Sequence, residues 1–443
     1  MNRGIGPDRI CLALPTNREC SATIAAIGEE AAYAARHFGV EVRLLILDSA
    51  DDATRSAHAR AVAALPAETN VIVHHLDETE QRAFLRNVIR LSEVPEPDTM
   101  LRLMLPADVS YGACTNRAFL LAAALGCRSV HRRDSDSTYQ VLNGATVFPV
   151  HHELLSLGKP AAEASAGVTE TVLDPAHAHR TVSMVGSSFI GELSVDIGEI
   201  ARLDQGVYHD VVSLWAPVDW SEESKRQLVE ESFTGAGTAP FTGDHSTLTV
   251  VDPMRVDMCN ISFDRGVYER VPLPPATSTI GSDYFLIHLV HDAALPGVLH
   301  NRTIENYYTP QRRTDAGFTA YQTRFVKFLL SMLYFNSVYA GMAAAGDALL
   351  DENGCVRADT VVDLLRESTG LDRSENEWRL DRVDTSYRKL GGRYEAFADL
   401  VAGRRDQLLD EAERDIEEFA LLTDAWAALV RAAGEHGIGS AGG

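Results

Sequence analysis

Lysine is scarce in this chain: only Lys159, Lys225, Lys327 and Lys389 stand among 40 basic residues. That bias, with abundant alanine, suggests a high-GC bacterial source and carries no chemistry. The basic residues fall short of the 63 acidic ones, leaving a formal charge of −23. Such a balance argues against a general nucleic-acid or anionic-membrane surface, though a local basic pocket for phosphates stays compatible with it. Cysteine is also sparse. Cys11, Cys20, Cys114, Cys127, Cys259 and Cys355 are scattered without C-x-x-C spacing, so they read as reduced, buried thiols in a cytoplasmic protein. The N-terminus, MNRGIGPDRI, has no apolar leader, and no stretch reads as long enough to span a membrane. There is no internal repeat. Neither Gly-x-Ser-x-Gly nor Gly-x-x-x-x-Gly-Lys-Ser/Thr occurs, so nothing supports a serine hydrolase or a P-loop ATPase.

What is present is a globular composition: 443 residues, 45% hydrophobic and 23% charged. That length holds one large domain with an appendage, or two to three ordinary ones. Arg9 to Leu14 reads as an apolar strand breaking into Pro15-Thr16-Asn17-Arg18. A helix capped by Ser21 follows, to about Phe38. Glu41–Leu47 is a near-continuous apolar run, as for a strand covered on both faces, and it ends at Asp48. A helix (Asp51–Leu65), a strand (Asn70–His74) and a helix (Glu78–Leu91) come next. The apolar helix through Asn116 and Arg117, stopped by Gly126, then leads to a strand ending in Asp134-Ser135-Asp136. This alternation predicts a doubly wound α/β sheet, whose ligands bind beyond the carboxyl ends of the strands.

From Thr138 to Arg270 short apolar runs (ATVFPV, RTVSMVG, YHDVVSLWAPV, STLTVV) alternate with Gly, Pro and Asp clusters. They read as the mixed half of the sheet with irregular insertions. From Tyr308 onward the pattern is helical: Ala320–Ala345, Val361–Leu365, Tyr387–Leu400 and Arg404–Ala433. The tail GIGSAGG reads as disordered.

Asp134-Ser135-Asp136 reads either as a polar turn or as two carboxylates able to share one divalent ion; oxygen ligands suit Mg²⁺ or Mn²⁺. In order along residues 8–305, several features resemble the nucleotide-sugar-dependent glycosyltransferases of the GT-A fold. They are the Pro15–Arg18 turn, the strand ending in Asp48, the Asn116-Arg117 helix leading to Asp134-Ser135-Asp136, and Cys259–Glu269 followed by Ile280-Gly281-Ser282-Asp283. The resemblance implies a GT-A-like domain over 1–305 and a helical region over 306–443. It implies a metal-dependent hexosyl- or pentosyltransferase that moves a sugar from a nucleoside-diphosphate sugar to a small soluble acceptor.

In that reading Pro15, Thr16, Asn17, Arg18, Asp48, Asn116, Arg117, Arg133, Asp134, Ser135 and Arg302 bind the donor. Arg132 also flanks the metal pair. Asp134 and Asp136 hold Mn²⁺ or Mg²⁺, with His300 as a third ligand. His288 and His291, three residues apart, are alternatives for that role. Asp283 is the catalytic candidate, as general base or acceptor ligand, and a helix N-cap is its plain structural role. The C-terminal helices are candidates for a homodimer interface. Two other readings are a nucleotidyltransferase and a non-catalytic nucleotide-binding or scaffold protein. The first lacks its Gly-rich triphosphate loop; the second predicts that Asp134 and Asp136 are dispensable for metal and nucleotide binding.

Overall fold

The apolar runs pair side by side. β1 (Arg9–Thr16), β2 (Glu41–Asp48) and β3 (Val71–Asp77) are parallel, with Thr16, Asp48 and Asp77 level at their carboxyl ends. β4 (Ser129–Arg133) runs parallel on the other side of β1. Both faces of these strands are covered, which explains their near-continuous hydrophobicity. Ile10, Leu12 and Leu14 pack on Ile24, Ile27 and Ala31 of the helix Ser21–Phe38. Cys11 and Ala13 face the opposite layer, with Leu85, Val88, Phe119 and Leu120. Each such fully buried Leu or Ile stabilises the fold by roughly 1.5–3 kcal/mol. The computed structural model describes residues 8–192, 197–307 and 309–437.

The second half of the sheet is mixed. After β5 (Ser137–Tyr139) and the hairpin β6 (Val141–Leu142) and β7 (Ala145–Thr146), the chain forms β8 (Glu170–Thr171), β9 (Met184–Gly186) and β10 (Phe189–Gly191). β11 (Ser246–Thr249), β12 (Asn260–Asp264), β13 (Gly297–His300) and β14 (Ile304–Asn306) complete the strands. The main sheet has the order β3-β2-β1-β4-β12-β9-β13-β11-β8, and β12 runs antiparallel to both β4 and β9. A small sheet, β10-β14-β5, sits beside it. This is a doubly wound mixed α/β sheet with a helical C-terminal region.

Three local expectations need correction. YHDVVSLWAPV is helical rather than extended: Asp204 caps a helix at Gln205–Val212, and a 3₁₀ turn follows at Ser213–Trp215. The run Tyr387–Leu400 is two helices, Ser374–Leu390 and Gly392–Gly403, broken where Gly391 and Gly392 take φ of +69° and +57°. One segment does reach spanning length. Asp315–Leu349 holds an 18-residue window of mean hydropathy 1.3, long and apolar enough to cross a membrane, and half of that window is buried inside the protein. Beyond Gly437 the tail lies outside the described residues.

The C-terminal helices share one hydrophobic core with the sheet. Phe285 packs edge-on to Phe419 at 4.8 Å, and the buried Trp426 Nε1 donates to the Tyr268 carbonyl at 2.9 Å. Residues on both sides of the expected 305/306 division thus belong to one continuous cluster.

Candidate active site

At the carboxyl ends of β1 and β4 the sheet opens into a cavity of about 420 Å³. Its polar half is built from turns that the preceding strands hold in place. Beyond β1, Thr16 Oγ1 donates to the Arg18 carbonyl at 2.9 Å, which folds the Pro15–Arg18 turn back on itself. Beyond β4, Ser137 Oγ donates to the Asp134 carbonyl at 2.9 Å. The Tyr307 hydroxyl donates to the Ser135 carbonyl at 3.2 Å, and the Tyr307 amide to the Asp136 carbonyl at 3.1 Å. The Asp134–Asp136 turn is therefore pinned from both sides.

Two guanidinium groups serve the acids. Arg18 Nη1 donates to Asp136 Oδ2 at 2.8 Å. Arg132 bridges Asp134 Oδ1 at 3.1 Å and Asp283 Oδ2 at 2.9 Å, while its buried Nε has no partner among the described residues. Burial pushes the Asp134 carboxyl up; Arg132 pulls it down, and Asp136 and Asp283 push it further up. Asp283 is likewise raised by burial, against the opposing pull of Arg132. Carboxylates crowded this closely disfavour one another's charge, and a hard divalent cation relieves that repulsion. The donor set of Asp134 and Asp136 therefore fits Mg²⁺ or Mn²⁺.

Asp257 and Arg324 are members that sequence reasoning missed. Asp257 is held by the Ser188 and Tyr284 hydroxyls, and burial with the nearby Asp134 keeps its pKa raised. Arg324 comes from the helix Asp315–Ala345, donates to the Tyr111 hydroxyl at 3.1 Å and lies over the Tyr321 ring. Both line the cavity. The only available signal for either was a polar residue interrupting an apolar stretch.

The structure brings Pro15, Thr16, Asn17, Arg18, Arg117, Asp134, Ser135, Asp136 and Asp283 to this cavity. No side-chain cap bond closes the turn Ser282–Tyr284 or the helix after it, so Asp283 does not act as their N-cap. Arg117 reaches the wall with its guanidinium committed to Gln81 Oε1 at 2.8 Å and the Met104 carbonyl at 2.7 Å.

Other candidates lie elsewhere. Asp48 is fully buried; its Oδ2 accepts from His58 and His75, each at 2.8 Å, and Oδ1 accepts from the Ala50 amide. These three side chains place ligand atoms within 4.8 Å of one another. His58 Nε2 meanwhile accepts from the Cys20 amide at 3.1 Å, so the cluster is complete without an ion. Asn116 clamps Leu273 through its amide and carbonyl, both at 2.8 Å.

Arg133 points to the opposite face of β4, where Glu30 and Glu153 hold it. Arg302 is forked onto Asp244 at 2.6 and 2.9 Å. His300 sits on β13, three strand spacings or about 14 Å from β4. Its ring stacks on His152 at 5.5 Å, and its buried Nε2 has no partner among the described residues. His288 reaches the cavity, whereas His291 turns away to Asp292 at 2.9 Å.

The fold and this cavity define a class: mixed α/β proteins with an acid-lined cleft at the carboxyl ends of the parallel strands. Within it, the chain belongs to DUF6271, a family of unknown function, whose profile matches residues 8–441. No curated protein sequence matches the chain.

Among solved structures it is similar to the mannosyltransferase PcManGT from Pyrobaculum calidifontis. That structure is a complex with GDP-Man and Mn²⁺, at 14% identity and a TM-score of 0.36 over 99% of this chain and 91% of that one. It is also similar to a mycobacterial protein, at 16% identity and TM-score 0.36 over 74% and 75% of the two chains. A third is core-mannan synthase A from Aspergillus fumigatus in an Mn/GDP form, at 6% identity and TM-score 0.24 over 66% of each chain.

Proposed function

We propose that this protein is a metal-dependent glycosyltransferase that takes its sugar from a nucleoside-diphosphate donor. One observation carries the reading. Asp134, Asp136 and Asp283, with Arg18 and Arg132, converge in one cavity at the carboxyl ends of β1 and β4. A cleft there is where an α/β sheet binds nucleotides. Asp134 and Asp136 are the residues that would hold Mn²⁺ or Mg²⁺. Such an ion supplies Lewis-acid neutralisation of charge on the departing diphosphate.

The chain's own groups do the rest. Arg18 and Arg324 present guanidinium groups to phosphate oxygens, which they bind through paired N–H donors. Arg132 is a positioning residue that holds Asp134 and Asp283 in fixed relation. In an inverting transfer, Asp283 accepts the proton of the acceptor hydroxyl as its oxygen bonds to the anomeric carbon. The bond from that carbon to the diphosphate oxygen breaks, and its electron pair leaves with the diphosphate. The raised pKa of Asp283 suits a proton acceptor, because a base works best when its pKa approaches the working pH.

The test is thermal stability against a panel of nucleoside diphosphates, with and without Mn²⁺. Selective stabilisation that needs the metal and disappears in Asp136→Ala supports the reading. Stabilisation by triphosphates alone favours nucleotidyl transfer instead. No response to any nucleotide overturns both.

A further inference from the structure

The other half of the cavity is walled largely by aromatic and apolar side chains. Trp215, Phe233, Phe328, Met332, Phe335 and Tyr339 wall it, and it is continuous with the acidic half. The rings brace one another: Trp215 meets Phe328 edge-on at 5.2 Å and Phe233 at 6.1 Å. Phe233 holds this place with a backbone φ of +58°, a conformation a bulky L-residue adopts only under constraint. Gly281, at φ +72° just before Ser282-Asp283, leaves room for the Phe328 ring; a Cβ there would lie 2.8 Å from it. The aromatic wall and the proposed base are thus packed directly together.

Polar side chains are few among these rings: the Ser331 hydroxyl is spent on the Phe328 carbonyl at 2.7 Å, and His288 stands beside Tyr339. His288 lines the cavity with its imidazole stacked on Tyr339 at 3.9 Å. Among the described residues, no hydrogen bond satisfies either of its ring nitrogens. A histidine facing apolar walls without a partner is a donor or acceptor kept for something that enters. Sugar hydroxyls need several polar partners at once, and this half offers few. A flat ring system satisfies the walls while one polar substituent on it satisfies the imidazole.

We propose that this half of the cavity binds the acceptor, and that the acceptor is an apolar, ring-bearing small molecule rather than a saccharide. Its ring body lies between Phe328, Phe335 and Trp215, one polar substituent meets His288, and the reacting hydroxyl or amine faces Asp283. The assignment of acceptor rests on the glycosyltransferase reading; the binding preference does not.

Calorimetric titration of the full chain without nucleotide separates the two, using 2-naphthol, naphthalene and methyl glucoside as probes. 2-Naphthol is expected to saturate the protein, to bind about tenfold more tightly than naphthalene, and to leave methyl glucoside without measurable binding. Ser331→Phe fills the cavity from its wall without removing a packed ring. It is expected to weaken 2-naphthol about tenfold or more while nucleotide-dependent stabilisation persists. His288→Phe should abolish the preference for 2-naphthol over naphthalene.

The inference is overturned if methyl glucoside binds better than 2-naphthol, or if 2-naphthol binds Ser331→Phe as well as the native chain. If 2-naphthol behaves as expected while no nucleotide stabilises the protein, the apolar site stands and glycosyl transfer falls.

Discussion

Arg132 and Arg133 are neighbours in β4, and strand alternation sends them to opposite faces of the sheet. Arg133 enters a sealed network. Its guanidinium is shared by Glu30 at 2.8 Å and Glu153 at 3.0 Å, Glu153 also takes His131 Nδ1 at 2.7 Å, and the Tyr139 hydroxyl caps Glu30. Arg132 faces the cavity, where Asp134 and Asp283 share it and Asp136 and Asp257 stand close by. The residue types are nearly the same on the two sides. What differs is closure: one set spends its charges on itself inside the protein, and the other keeps carboxylates turned toward a space large enough for a ligand. Buried charge alone does not mark a site; buried charge beside open volume does.

The contrast can be broken most forcefully from the sealed side. Arg133→Met strands Glu30 and Glu153 without a cation, and is expected to cost about 3–5 kcal/mol in urea unfolding. A loss below about 1 kcal/mol would mean that the network is not what holds this face. On the open side, Asp136→Asn is expected to leave unfolding within about 0.5 kcal/mol and to lower transfer about a hundredfold. Equal activity in that variant would remove the metal pair from the mechanism. Between the two lies Gly281→Ala, which meets both a positive φ and the Phe328 ring. An expected melting shift equivalent to about 1–3 kcal/mol, with weaker 2-naphthol binding, would tie the wall to the turn of Asp283.

The smallest effect is in pH. Burial pushes Glu153 up, but Arg133 and His131 more than offset it and hold its carboxyl below the ordinary glutamate value near 4.5. A carboxylate lowered on folding stabilises the protein above its unfolded pKa, and that stability is lost as pH falls through the folded value. Native stability should therefore decline below about pH 4.5. In Glu153→Gln the same acid titration should show a shallower slope, and an unchanged slope would place the acid sensitivity elsewhere.

Much of the first half of the fold was legible because its physics is local. Two-face burial wrote β1 and β2 as apolar runs, and Gly126, at φ +67°, marks the helix end before β4. Asp134, Asp136, Arg18 and Asp283 were legible as polar residues at the ends of such runs. Arg133 and Arg132 could have been separated by counting alternate positions. His300 and Arg302 drew attention as a polar cluster, yet their surroundings depend on β13 lying three strands from β4, a long-range pairing that no local pattern encodes. Asp257, Arg324 and the ring-lined wall come from distant segments that meet only in the folded chain. The helix at Gln205–Val212 was hidden because a short apolar run fits either period.

The helix Asp315–Ala345 is buried in the common core through Phe325, Leu329 and Val338, and it lends Arg324, Phe328, Met332 and Phe335 to the cavity. Adjacent turns of one rod thus answer to two selections at once. Among relatives, divergence in what the cavity admits should then run through volume-conserving exchanges on this helix, such as Phe for Leu or Met. Wholesale replacement would disturb the packing of the remaining C-terminal helices. What the cavity admits would then change in small steps, with its acidic end left untouched.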